Sequence, residues 1–235
     1  MGSSAGTVVG VDGCRAGWVV VTTGVDRESV TTVAVVATID EIVDSVRAGR
    51  VAAAGIDMPI GLATNGARRA DADARRLLGP RRSSLFPTPP RAALDATDYA
   101  DARTRCRAAS GKGLSVQAYH LLPKMRELAA VIEPWMQPAI SEVHPETSFA
   151  VLRNAPCAHP KTTAAGRAER VDALRAHFAD VDTITQGTPR GAKPDDVLDA
   201  LVAAWTARRI ATGTALVLGD DDARDDRGLR LTIVA

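Results

Sequence analysis

The chain is poor in cysteine, and the placement of the few cysteines excludes two common roles. Its 235 residues include three, Cys14, Cys106 and Cys157. An odd number without any C-x-x-C pair argues against a disulfide framework and against a structural zinc site. We therefore expect free thiols in a reducing compartment.

Long apolar runs are also lacking. No hydrophobic stretch approaches the roughly twenty residues of a membrane-spanning helix, and no charged-then-apolar leader with a cleavage site is present. We expect a soluble, cytoplasmic protein with no membrane partner. Residues 1–6 are small and polar, so we expect them to be disordered and leave them out of the fold prediction.

With 46% hydrophobic residues, the rest of the chain is long enough to bury one substantial core. We predict a single domain over residues 7–235. Residues 65–138 are mostly helical in period, but three prolines within 83–91 exclude a helix interior there. This segment is predicted to be a helical insertion between two core strands.

Hydrophobic periodicity predicts a mixed α/β fold, because β-branched runs are interspersed with helical patterns. Thr38-Ile39-Asp40-Glu41 is a capping-box pattern and opens a helix that Gly49 ends. Strands are predicted over residues 7–11, 17–23, 29–37, 51–56 and 139–143, with a last edge strand over 229–234. Two further helices are predicted over 162–178 and 194–210.

Carboxylates at the ends of apolar segments are the most informative feature of the chain. Asp12, Asp57 and Glu142 each lie at the end of a predicted strand, and Asp196 and Asp199 lie near the start of the last long helix. A fold that collects these ends at one sheet edge would bring the carboxylates together. Such a group would bind Mg²⁺ or Mn²⁺, which prefer hard oxygen ligands. All five are therefore candidate metal ligands and catalytic residues.

Each acid also has an ordinary structural explanation. An Asp before Gly, as at Asp12, commonly hydrogen-bonds its own turn, and an acid in a first helical turn, such as Asp196, is favoured by the helix dipole. Asp57 is harder to explain in this way, because a buried charge that closes so apolar a strand must be paired, capped or metal-bound. On a helical wheel Asp199 lies beside the apolar stripe and Asp196 lies farther off, so the pattern supports Asp199 better.

Basic and hydroxyl side chains supply candidates for substrate binding. Residues 65–126 contain thirteen basic and five acidic side chains, an excess that suits a polyanionic substrate but is equally typical of solvated helix faces. Gly-Lys-Gly around Lys112 is not a Walker motif, a lone histidine such as His144 is more often structural, and Lys161 has an ordinary helix start as its alternative. The candidate phosphate contacts are Arg81, Arg82, Ser83, Lys112, His144 and Lys161.

Six segments together resemble the RNase H-like superfamily and, within it, a predicted-nuclease family classed as a domain of unknown function. The segments follow one another along nearly the whole chain. They read VGVDGC with Gly17-Trp18, GIDMPIG, RSSLFPTP, GKGLS, EVHPE and a closing D-x-x-D-A-L that begins at Asp196.

Membership implies a five-stranded mixed sheet flanked by helices, with the first three strands antiparallel and a helical insertion after the fourth. The acidic site would lie at the first and fourth strands and the last helix. The closing run is similar to that of Holliday-junction resolvases in this superfamily, which implies that Asp196 and Asp199 both lie near metal. Glu142 departs from the pattern, since it lies on the fifth strand rather than on the first helix used by ribonuclease H.

The resemblance implies a nuclease that hydrolyses phosphodiester bonds with two divalent ions about 3.5–4 Å apart, with Asp12 as the natural bridging ligand. Two alternatives stay open. One is an actin-like or sugar-kinase-like ATPase, although such enzymes normally carry two copies of the fold and this chain has one. The other is a non-catalytic nucleic-acid-binding module with a degenerate site. The residues do not separate DNA from RNA, or a monomer from a homodimer.

Overall fold

The structure, a computed structural model, describes residues 6–235, so the expected disorder of residues 1–6 lies almost wholly outside the described part. The strands are β1 (Thr7–Cys14), β2 (Gly17–Gly24), β3 (Thr32–Val36), β4 (Ala53–Asp57), β5 (Ile140–Glu142), β6 (Val217–Leu218) and β7 (Ile233–Val234). The helices are α1 (Asp40–Arg47), α2 (Arg69–Leu78), α3 (Tyr99–Ser110), α4 (Val116–Val131), α5 (Pro145–Arg153), α6 (Ala164–Arg175), α7 (Val181–Gln186) and α8 (Pro194–Ala211). Short 3₁₀ helices lie at Gly79–Ser84, Arg91–Asp95 and Pro134–Met136.

The central sheet has five strands in the order β3-β2-β1-β4-β5. The first three strands pair antiparallel, whereas β4 pairs parallel with both β1 and β5. This confirms the predicted α/β class and five-stranded mixed sheet, and the arrangement is compatible with an RNase H-like fold. Residues 65–138, the predicted insertion, contain α2, α3, α4 and the three 3₁₀ helices, all between β4 and β5.

The strand predictions differ from the structure in two places. β3 begins at Thr32 rather than at residue 29, and Val30 before it is 80% exposed. The edge strand predicted over 229–234 is shorter in the structure: it is β7, which pairs with β6 in a two-stranded sheet and forms one parallel bridge, between Val234 and Val143 beyond the end of β5. The Asp225 carboxylate accepts hydrogen bonds from the backbone N–H groups of Leu229 and Leu62, so the chain before β7 is tied to a loop.

Side-chain alternation along β1 and β4 assigns the two faces of the sheet. Val9 and Val11 lie in the core that includes residues of α1 and α4. Because successive side chains of a strand point to opposite faces, Gly10 and Asp12 point to the other face, on which α8 packs. Asp57 of β4 is directly opposite Asp12 in the parallel register. Both carboxylates therefore lie on the α8 face, at the same edge of the sheet.

Two glycines allow α8 to lie directly against the sheet. A Cβ atom added to Gly10 would lie 2.0 Å from the backbone oxygen of Ala200, and one added to Gly55 would lie 2.7 Å from that of Ala203. Neither distance is tolerated by real atoms, so only glycine fits at these points of β1 and β4. This close approach fixes the beginning of α8 beside the strand ends that carry Asp12 and Asp57.

Among residues 6–235, no helix combines the length and the apolarity needed to cross a membrane. The three cysteines are free thiols and all of them are buried. This agrees with the absence of any paired cysteine motif in the sequence.

We predict that Gly10→Ala destabilises the protein by about 3 kcal/mol or more, because overpacking against backbone atoms cannot be relieved by a side-chain rotation. Gly113→Ala is the control, since the nearest atom to its added Cβ would be Arg107 Nε at 3.8 Å. Urea denaturation would measure both free energies of unfolding, and equal stability of the two variants would contradict the close packing of α8.

Candidate metal centre

Three carboxylates converge at the edge of the sheet. Asp12 lies towards the end of β1, Asp57 ends β4, and Asp199 lies in the second turn of α8. One oxygen from each can be chosen so that all three lie within 4.8 Å of one another. The parallel register of β1 and β4 brings the first two together, and the close packing of α8 adds the third.

Burial perturbs all three carboxylates, and repulsion within the group adds to its effect at Asp12 and Asp57. Asp12 is 9% exposed and Asp199 only 2%. Burial, followed by repulsion from Asp57 and Asp199, holds the pKa of Asp12 well above its usual range. Burial and the Asp199 charge raise the pKa of Asp57 to about 8, and burial also raises the pKa of Asp199. A divalent cation would relieve both costs, and three hard oxygen donors suit Mg²⁺ or Mn²⁺.

Lys161 is the cation closest to this group among the described residues. It precedes α6, and its Nζ atom donates a hydrogen bond to Asp199 Oδ2. The surrounding charges of Asp199, Asp57 and Asp12 outweigh burial and raise the pKa of Lys161. One positive charge beside three carboxylates compensates them only in part. Lys161, predicted as a phosphate contact, therefore lies within the acidic group itself.

Asp196 lies outside the three-carboxylate group, although it lines the same cavity. Its Oδ2 atom accepts a hydrogen bond from the backbone N–H of Lys193 at 2.8 Å, so this carboxylate caps the start of α8. The helical wheel, which favoured Asp199, agrees with this placement better than the closing motif does. A role for Asp196 at the metal stays a prediction.

Glu142 also lies outside the group, because it is held by a buried arginine. Arg68 Nη2 and Nη1 donate to the two Glu142 oxygens at 2.6 and 2.7 Å, and the Ile60 N–H donates to the second oxygen at 2.8 Å. Burial raises the pKa of Glu142 and the arginine opposes that shift. In this arrangement the Glu142 carboxylate is bonded to Arg68 and Ile60, and it fixes the wall of the site. Its role as a ligand stays a prediction.

Arg68 ties four segments together. It bonds Asp71 of α2 at 2.7 Å, the backbone oxygen of Gly61 at 2.9 Å and the Thr88 hydroxyl at 2.6 Å, besides Glu142 of β5. The sequence analysis included it only in a count of basic residues. Nothing in the local pattern distinguished it from its exposed neighbour Arg69, and only the tertiary contacts show its role.

A cavity of about 300 Å³ leads to the carboxylates. One side is formed by the loop that follows the first 3₁₀ helix, including Phe86 and Pro87, and another by Leu121 and Met125 of α4. The insertion therefore forms much of the wall of the cavity at the acidic edge of the sheet.

The remaining predicted phosphate contacts are dispersed. Arg81 and His144 line a second cavity beside the first. Arg82 and Ser83 are exposed and line neither of these two cavities, and exposed Lys112 lines a third, on the far side of Arg68. Burial, together with the charge of Lys161, lowers the pKa of His144 to about 4, so its imidazole is neutral at pH 7.

We predict that Arg68→Met destabilises the protein by about 3–5 kcal/mol, because it leaves Glu142 and Asp71 buried without their cation. Arg69→Met is the matched control: the Arg69 side chain is 73% exposed, and a surface ion pair contributes about 0–1 kcal/mol. Chemical denaturation would measure the free energy of unfolding of both variants. Equal losses of stability would refute the assigned role of Arg68.

We predict that Asp57→Asn stabilises the metal-free protein at alkaline pH. Because the folded-state pKa of Asp57 is raised, the folded protein keeps a proton that the unfolded chain releases, so stability falls as pH rises from about 4 to about 8. Asparagine does not ionise, so the variant does not lose this stability as the pH rises. In EDTA we expect the melting temperature to rise on the order of 5 °C near pH 9 and by clearly less near pH 5, where only the first part of this loss has occurred.

Asp195→Asn is the control for this measurement, because Asp195 lies on the same helix and outside the three-carboxylate group. An equal rise of the Asp57→Asn melting temperature at both pH values would show that repulsion among the carboxylates is not the cause.

Comparison with known proteins identifies a family. The family described as a protein of unknown function (DUF429) matches residues 10–224. No curated protein and no solved structure matches the chain. The matched range includes Asp12, Asp57, Asp199 and Lys161. Because the match covers most of the chain, the protein belongs to this family of unknown function.

Proposed function

We propose that the protein is a metal-dependent nuclease that hydrolyses phosphodiester bonds, with Mg²⁺ or Mn²⁺ held by Asp12, Asp57 and Asp199. The observation that carries the proposal is the convergence of these three carboxylates within 4.8 Å at the inner end of a cavity. Three repelling carboxylates are costly to bury together, and a bound divalent ion explains why they are kept there.

The residues around the carboxylates suit a phosphodiester. When bound, a divalent ion would polarise the phosphate and lower the pKa of a bound water. Lys161 places a positive charge at the same point, where it would attract a phosphate oxygen. Neutral His144 would offer a hydrogen bond without adding charge. The loop that Arg68 holds through Thr88 keeps the wall of the cavity in place.

A second ion would need a further carboxylate. Asp196 is the candidate, because it lines the same cavity while its carboxylate caps a helix end. Glu142 would first have to leave Arg68. The proposal of two ions therefore rests on Asp196, and Asp12, Asp57 and Asp199 serve the first.

Nucleic acid is the polyanion we favour as substrate. Arg81 lies in the 3₁₀ helix Gly79–Ser84 and lines a cavity that also includes Asp57 and Lys161. A basic side chain next to an acidic metal site attracts the phosphate backbone while the cation neutralises the scissile phosphate.

The test is cleavage of a labelled panel of single-stranded, duplex, hybrid and branched DNA and RNA with Mg²⁺ or Mn²⁺. We expect cleavage that EDTA abolishes. Loss of a residue that merely supports a metal ligand commonly costs about 10–100-fold, so Asp57→Asn and Asp199→Asn should cost at least about 100-fold. Asp195→Asn, on the same helix, should retain activity. Calorimetric titration with Mn²⁺ should show binding to the wild type that both active-site variants weaken.

Absence of both cation binding and cleavage would refute the nuclease. Phosphate release from Mg²⁺-ATP would instead favour the ATPase, and nucleic-acid binding that is indifferent to chelator would favour the non-catalytic module.

A further inference from the structure

A second cavity of about 210 Å³ lies directly beside the first. The two cavities share Asp57, Ser84, His144 and Lys161 in their linings. Their common boundary therefore includes one carboxylate of the proposed metal centre, Asp57, and Lys161, which bonds another, Asp199. A molecule that reaches the metal from the first cavity could continue into the second.

Two residues that line the second cavity each carry a buried side-chain nitrogen without a hydrogen-bond partner among the described residues. Arg81 Nε and His144 Nδ1 are buried atoms without a hydrogen-bond partner among the described residues, and both residues line this cavity. Glu146 Oε2 also lacks a partner there, but the other oxygen of Glu146 accepts from buried Arg170. Unsatisfied buried polar groups are costly and rare. A guanidinium without a carboxylate partner, close to Lys161, suits an anion.

The first cavity differs in character, because its outer wall is apolar. Phe86 is 48% exposed and Leu121 is 42% exposed, and both line this cavity. Exposed large apolar side chains at the entrance of a site commonly contact a ligand. An aromatic ring there offers a stacking surface to a nucleobase, whatever its identity.

Resting on the proposed nuclease, we propose that an unpaired nucleic-acid strand passes from one cavity to the other across the metal centre. A base stacks on Phe86 and packs against Leu121 in the first cavity. The scissile phosphate lies at Asp57, where the cavities meet. The phosphate next to it along the strand binds Arg81 and His144 in the second cavity.

Cavity size favours an unpaired strand over a duplex. Pockets of roughly 300–1,000 Å³ hold single small molecules, and the two cavities here are about 300 and 210 Å³. Each has room for parts of one nucleotide. A base pair brings a second base and a second backbone, which the walls formed by the insertion would exclude from the carboxylates.

Fluorescence anisotropy tests this inference without relying on cleavage. The probes are labelled oligothymidine and oligouridine strands, the corresponding duplexes, and unlabelled thymidine monophosphate as competitor, all in Ca²⁺ in place of Mg²⁺. We expect the single strands to bind at least about tenfold more tightly than duplexes. Arg81→Gln should weaken strand binding about tenfold, as expected for a lost hydrogen bond to a charged group. Phe86→Ala should weaken it about fivefold or more through lost stacking.

Two neighbouring residues supply matched controls. Arg82→Gln removes the adjacent arginine, which lines neither cavity, and Val116→Ala removes an exposed apolar side chain of α4 that also lines neither. Both should bind strands as the wild type does. Thermal melting of every variant shows whether a weakened variant is still folded.

Each of four results would overturn the inference. Duplexes bind more tightly than single strands, or the Arg81 and Arg82 substitutions have equal effects. Alternatively, the mononucleotide competes as effectively as the strand, or no probe binds. Calorimetry with Mn²⁺ on the same samples keeps the two proposals apart. If the cation binds and duplexes are cut without preference for single strands, the nuclease stands and only the strand path fails.

Discussion

The close contact between α8 and the backbones of β1 and β4 is the constraint on which the site depends. Gly10 and Gly55 leave no Cβ between helix and sheet, so α8 lies against both strands. A larger residue at Gly10 would displace the helix and with it Asp199. The same strands pair in parallel, with Asp12 opposite Asp57. One packing contact and one strand register therefore bring together three acids that lie far apart in the chain.

The protein compensates its buried carboxylates in two different ways. Glu142 and Asp71 share Arg68, which is itself almost fully buried and satisfies both of them with short hydrogen bonds. Among the described residues, Lys161 is the one cation that forms an ion pair with the group of Asp12, Asp57 and Asp199. In the first arrangement both carboxylates are bonded to the shared guanidinium, which also connects loops. The second sets three carboxylates, whose ionisation is opposed by burial, against one lysine in the lining of a cavity, and this imbalance is the physical basis for proposing a cation there.

Part of the site could be predicted because local sequence patterns show where strands end and where helices begin. Asp12 and Asp57 follow apolar β-branched runs, and Asp199 lies beside the apolar stripe of an amphipathic helix. Glu142 met the same criterion, but the structure pairs it with Arg68, which local patterning could not reveal because the two residues are far apart in sequence. Asp196 shows the converse, since acids in a first helical turn serve as caps for reasons unrelated to any ligand. The segment before β7 was predicted as an edge strand and is instead held by Asp225.

The sequence alone determined the core strands, the mixed α/β class and the acids at the ends of those strands. Hydrophobic periodicity and turn residues act over a few neighbouring positions, so local patterns are enough to predict them. Only the tertiary structure decided which acids meet, which of them are paired with an arginine, and that two adjoining cavities lie beside them. Burial and hydrogen bonding between distant segments set the charge balance of a site, and these depend on how close helices and loops pack rather than on any local pattern.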